Sequence, residues 1–391
     1  MTSPSPAPTS AWYRPMVARS TAERHRVSTV LELFFDLCFV AAVAQAAIAL
    51  EHEFATGHVG NGVLGYVLVF FAIWWAWMNF TWFASAYDTD DVPYRLLTLV
   101  QITGALVMAA GADSAVTDRD FAVITVGYVI MRLAMVTQWL RAARSDPDRR
   151  TVCLRYATGI LIVQLGWVGR LFLPDGAGLP SFLVLAAAEL AVPLIAERTG
   201  NTTWHPHHIA ERYGLFTIIV LGESITSATA AVRGALDADA GFGSLAALSA
   251  GGILTVFALW WLYFADETPR RLDSLPSALR WGYGHYGLFT AAAAVGAGLA
   301  VNIAYVTHHA EISRTTAAAA YTLPVALYLV VLRLLQRGAT PGPALDALWA
   351  AAVVAVCLAT FAPGPVLVTG IVAALLVAGT LALTRRKPAG V

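Results

Sequence analysis

The chemistry open to this 391-residue chain rests on a few ionisable side chains set in long apolar runs. Glu32 and Asp36 lie in the run 27–50, four residues apart and so on one face of a helix. Glu211 enters the run 209–231, and Glu223 sits about 14 residues into it. Arg132 is the basic residue well inside a run, and His285, whose side chain type titrates near neutrality, stands early in the run 280–305. A charge in hydrocarbon costs at least about 2.5–3.5 kcal/mol, so such groups turn inward to a partner or a polar path. Carboxylates held this way are candidate proton or cation carriers, with Arg132 as counter-ion and His285 as a modulator. Arg132 has three candidate partners in Asp36, Glu223 and Glu189. The bland alternative is that every charge is closed into a pair, and that Glu32 and Asp36 reach water or a cation at the cytoplasmic end. Gly222, before Glu223, is expected to admit a close backbone neighbour.

Other polar groups carry weaker signals. Gln45, Asn79, Gln101, Gln138, Gln164 and Asn302 fit a polar pathway or helix-to-helix hydrogen bonds equally well. Trp74, Trp75, Trp77, Trp82, Trp260 and Trp261 fit interfacial anchors or packing between spans. His205-Pro-His-His208 places three imidazoles within four residues but lacks an obvious fourth ligand. Cys38, Cys153 and Cys357 lie in or beside apolar runs without paired spacing and read as small buried hydrophobes. Asp266-Glu-Thr-Pro-Arg270-Arg271 is only loosely like the acidic–basic loops of major facilitator carriers. Phosphate-loop, GxSxG, HExxH and paired-cysteine signatures are missing, so no catalytic residue, metal or cofactor is assigned.

The elements that must position these groups follow from composition. Hydrophobic residues make up 58% and charged residues 13%, and the mean hydropathy is +0.65. A soluble domain carries about 25% charged residues, so the partner is a lipid bilayer, and zero net charge argues against a nucleic-acid role. Twelve runs are long enough to span: 27–50, 62–86, 93–111, 121–142, 152–173, 180–197, 209–231, 244–265, 280–305, 315–335, 343–361 and 365–384. The last two are split only by Ala362-Pro-Gly-Pro365. A basic stretch, an apolar run and Ala42-Val-Ala44 imitate a signal peptide, but Glu32, Asp36 and the continuing apolar run argue for an uncleaved first span. Twelve spans place twenty basic residues on the side of the two termini. The other side receives Arg119, Arg170, Arg233 and Arg314, so both termini are expected in the cytoplasm.

An internal repeat of about 180 residues is also expected. Glu32 aligns with Glu211, and Trp82-Phe83 with Asp88 aligns with Trp260-Trp261 and Asp266. The resulting division is a disordered basic N-tail over 1–26, six-helix halves over 27–197 and 198–384, and a short basic cytoplasmic tail over 385–391. Six spans per half make the halves parallel. The fold class is thus an all-α polytopic membrane protein.

Glu32-Leu-Phe-Phe-Asp36-Leu-Cys-Phe-Val40 and the segment from His208 to Ile225 resemble the two signature segments of the bacterial low-temperature-requirement A membrane-protein family. Cys38 stands where that family commonly has Val. The resemblance implies a multi-pass protein of the bacterial inner membrane linked to growth in the cold, and names no reaction or ligand. The residues themselves suggest a secondary transporter or proton-coupled permease for an unknown small solute. A membrane-embedded enzyme or lipid-modifying factor, and a non-catalytic sensor or assembly protein, are the alternatives. The oligomeric state is left open.

Overall fold

The computed structural model describes residues 12–20, 23, 26–237, 242–265, 272, 274–337 and 342–384. Asp266, Arg270, Arg271 and the 385–391 tail lie outside these described residues. The regular structure described is helical: α1 (Val30–Ala55), α2 (Val59–Tyr87), α3 (Val92–Ala110), the six-residue α4 (Ala112–Thr117), α5 (Ala122–Ser145), α6 (Arg150–Arg170) and α7 (Gly178–Ala196) come first. Then follow α8 (Pro206–Asp237), α9 (Phe242–Phe264), α10 (Leu275–Val306), α11 (Arg314–Leu335), α12 (Pro343–Ala359) and α13 (Pro365–Thr384).

Each of the twelve expected runs contains a helix. Among the described residues, ten helices are long and apolar enough to cross a bilayer. The other two expected spans are α8 and the 17-residue α12. Pro365 begins α13, and Gly364 before it adopts φ 68°, a backbone that side chains resist. These residues turn the chain and keep α12 and α13 apart as two helices.

The chain divides into two compact units. The first takes the start of α1 through Phe39, α2 from Trp75, then α3 and α5–α7, ending at Ile209. Within it α3 packs on α5, α5 on α6 and α6 on α7. Gly104 and Gly127 let the α3 and α5 backbones touch: a Cβ on Gly127 would stand 2.5 Å from the Gly104 carbonyl oxygen. The second unit takes the rest of α1 and α2, α4, and the chain from Ala210 onward. There α10 packs on α11, α11 on α12, α12 on α13 and α13 on α9.

Helix α1 shows how sequence pattern becomes orientation. Val30, Phe34 and Leu37 are exposed, as lipid-facing residues must be, while Glu32, Phe35, Asp36 and Phe39 are fully buried. The apolar face turns outward and the charged face inward, the reverse of a soluble helix.

Candidate functional site

The two signature segments meet at a buried acid–imidazole pair. Helix α1 starts with a capping box: the Thr29 N–H and hydroxyl donate to Glu32 Oε2 at 2.8 and 3.0 Å, and the Glu32 N–H returns a bond to Thr29 Oγ1 at 3.3 Å. That reciprocal pair aims the Glu32 carboxylate back across the helix start. His208, in the first turn of α8 behind Pro206, presents Nε2 3.1 Å from Glu32 Oε1. Both side chains are fully buried. His205 Nε2 meets the Glu23 carbonyl at 2.8 Å, and its backbone N–H donates to Ser85 Oγ at 2.9 Å. The histidine run is thus tied to protein groups at two of its three imidazoles. Among the described residues no cluster of three or more metal-ligating side chains forms.

Around this pair Arg14, Arg19 and Arg26 reach the ends of α2 and α3. Arg26 is buried and donates to the Ser85 and Ala84 carbonyls, and Arg19 stands 3.8 Å from Asp88. Asp91 caps α3 through the Tyr94 N–H and also accepts from the Arg14 backbone and from Arg141 at 2.7 Å. Asp88, just beyond α2, is pushed up to about 6, chiefly by burial and then by the Glu32 charge, against the pull of Arg26 and Arg19. Burial lowers Arg26, while the hydrogen bond from Arg19 lowers Glu23.

Asp36, one turn deeper than Glu32, accepts from Trp77 Nε1 at 2.7 Å. Phe35 stacks on Phe80 at 3.9 Å beside it. Glu32 and Asp36 therefore share a helix face, with Glu32 answering an imidazole and Asp36 an indole.

Arg132 resolves to Glu189 of α7, at 2.6 Å. Four neutral donors complete that carboxylate: Trp75 on Oε2 at 2.9 Å, and Tyr128, Gln164 and Trp167 on Oε1 at 2.8, 3.1 and 3.3 Å. The pair lies near the middle of α5 and of α7, where no end is close enough for snorkelling.

Glu211, Glu223 and His285 belong to the second unit. Glu211 and Glu223 are half-buried on α8, and Arg212 between them is fully buried. Gly222 admits no close neighbour: no described atom comes within 4 Å of where its Cβ would sit. The close approach falls two residues on, where Ser224 Oγ donates to the Ala292 carbonyl at 3.1 Å and a Cβ on Gly296 would crowd Ser224. His285 is fully buried, with Nδ1 2.7 Å from the Trp281 carbonyl and Nε2 3.0 Å from the Tyr263 hydroxyl.

The remaining groups separate by environment. Asn302 bonds the Gly298 and Ala317 carbonyls and so ties α10 to the start of α11, whereas Asn79 bonds the Trp75 carbonyl of its own helix and Gln45 is exposed. Trp74, Trp75 and Trp77 are buried, and Trp260 and Trp261 are exposed on α9. All three cysteines are free thiols. Sequence reasoning passed over His208 except as a metal ligand, Asp88 except as a repeat marker, and Glu189 except as a partner. The available signal for His208 was its place in a signature segment, and for Glu189 a lone carboxylate in the apolar run Ala186-Ala-Ala-Glu189-Leu-Ala-Val192.

No solved structure matches this chain. It is similar to "Uncharacterized protein RA0937" of Rhizobium meliloti (strain 1021), with 30% identity over 259 residues that cover 62% of this chain and 59% of that protein. The aligned region thus spans less than two thirds of that relative. The family model described as bacterial low temperature requirement A protein matches residues 27–383, which include both signature segments and all thirteen helices but the last residue of α13. On that match, this multi-pass membrane protein belongs to the bacterial low temperature requirement A protein (LtrA) family.

Proposed function

We propose that the protein is a proton-coupled secondary carrier, multi-pass in the bacterial cytoplasmic membrane and linked to growth at low temperature through its family. The single observation that carries this reading is the Glu32–His208 pair, an acid and an imidazole 3.1 Å apart and fully buried. Such a pair can hold one proton between two sites and release it when its surroundings change. Asp88, poised at about 6 in the same unit, offers a further group that exchanges protons near neutrality. Asp36 and Glu223 extend the set of carriers. Glu189 takes the role of partner to Arg132.

The arrangement proposed is twelve spans with both termini in the cytoplasm, supported by the one-sided distribution of arginines. A parallel repeat is supported by recurring neighbour order: α3, α5, α6 and α7 pack in sequence, as do α10, α11, α12 and α13.

Liposomes holding the purified full chain and an internal pH dye test the carrier directly. The expected result is solute-dependent proton flux in wild type across a panel of small solutes, lost in Glu32→Gln. Flux that persists unchanged in Glu32→Gln, or a folded wild type silent across the whole panel, would overturn the reading.

A further inference from the structure

Glu189 is saturated and Arg132 is not. The carboxylate takes five donors, four of them neutral, whereas the guanidinium spends only Nη2 on it. Arg132 is 2% exposed, and its Nε and Nη1 have no hydrogen-bond partner among the described residues. A guanidinium stays charged at any accessible pH and carries five N–H donors. Burying donors unpaired in a low-dielectric bundle is costly, so a site of this kind calls for an acceptor.

The unmet groups continue along the same helices of the first unit. Gln138 of α5 is fully buried with both amide atoms unpartnered among the described residues, about 9 Å along the axis from Arg132. Gln101, on the packed neighbour α3, is buried with Nε2 unpartnered, and Arg141 nearer the end of α5 has Nε and Nη1 in the same state. The unmet acceptors in this set are the Oε1 atoms of Gln138 and Gln164, so donors outnumber acceptors. A cation would meet mostly N–H groups here. An oxyanion would meet the groups it needs.

We infer that the interior of the first unit is a binding site for a small oxyanion, a carboxylate or phosphate group, seated on the Arg132 Nε and Nη1 groups that lack a hydrogen-bond partner among the described residues, with Gln138 and Gln101 along its approach. This rests on the carrier reading only for its purpose, since it names the class of solute carried; binding itself stands apart from proton flux. Glu189 acts as the positioning residue that holds the guanidinium in place.

The test is equilibrium binding to the purified full chain in detergent, titrating inorganic phosphate and, separately, succinate at constant ionic strength against chloride. Trp75 and Trp167 both donate to Glu189, so intrinsic fluorescence reports occupancy alongside the thermal midpoint. Wild type is expected to give a saturable response to at least one of the two anions and none to chloride. Arg132→Gln alone strands the Glu189 charge, so the neutral double variant Arg132→Gln/Glu189→Gln is used, with affinity expected to fall more than about tenfold. Gln138→Met removes an amide that has no partner among the described residues and is expected to weaken binding severalfold with the fold intact. A wild type without saturable response to phosphate or succinate, or undiminished affinity in both variants, overturns the site. Saturable binding without proton flux supports the site and removes only the coupling; flux on these solutes without binding removes the site.

Discussion

A buried charge is tolerated when its neighbours replace water, and Glu189 and Asp88 are surrounded differently. Glu189 collects five donors, Arg132 among them. Removing one partner of such a pair costs about 3–5 kcal/mol, so Glu189→Gln is expected to lower the thermal midpoint strongly and Arg132→Gln/Glu189→Gln to recover most of it. Equal midpoints for the single and double variants would contradict this. Asp88 behaves in the opposite sense, because burial raises it from 3.8 to about 6. A folded state that binds the proton more tightly than the unfolded chain loses stability as pH climbs through that interval. Asp88→Asn escapes the loss, so its thermal midpoint relative to wild type is expected to rise between pH 4.5 and 7.5, by roughly 2 kcal/mol in stability. A gap that does not change with pH would refute it.

Helix ends and crossings translate residue choice into position. The Thr29–Glu32 capping box sets where α1 begins and hence which way Glu32 points at His208. Thr29→Ala is expected to cost about 1 kcal/mol and to weaken the acid–imidazole contact, seen as a lowered midpoint and a shifted His208 resonance. The α3–α5 crossing depends on Gly104 and Gly127 facing each other. Gly127→Ala would drive a methyl to 2.5 Å from a carbonyl oxygen, so a loss of about 1–3 kcal/mol is expected, larger than for Gly169→Ala, which has open space around it. Comparable losses at both glycines would argue against the crossing. The spans were legible in the sequence because length and hydropathy are local properties. Their facing was legible for α1, where a four-residue spacing put both carboxylates on one side. The partners were not, since three carboxylates competed for Arg132 and no local pattern says which helix lies beside which.

At the scale of the whole chain, the arginine distribution predicts that both termini share the cytoplasmic side. Reporter fusions after residue 384 and within the 111–121 link are expected to report cytoplasmic and external sides respectively; the same side for both would break the twelve-span reading. The polytopic helical membrane class is legible in the chain alone, because apolar runs of this length have no other stable state in lipid, where every backbone group must be bonded within its own helix. The chain also carried the signature segments of the family. Packing alone settled that those segments join through Glu32 and His208, that Arg132 belongs to Glu189, and that two guanidinium nitrogens find no partner among the described residues. The physical reason is that insertion is decided residue by residue against lipid, whereas pairing is decided by which backbones can approach closely enough, a property of facing surfaces far apart in the chain.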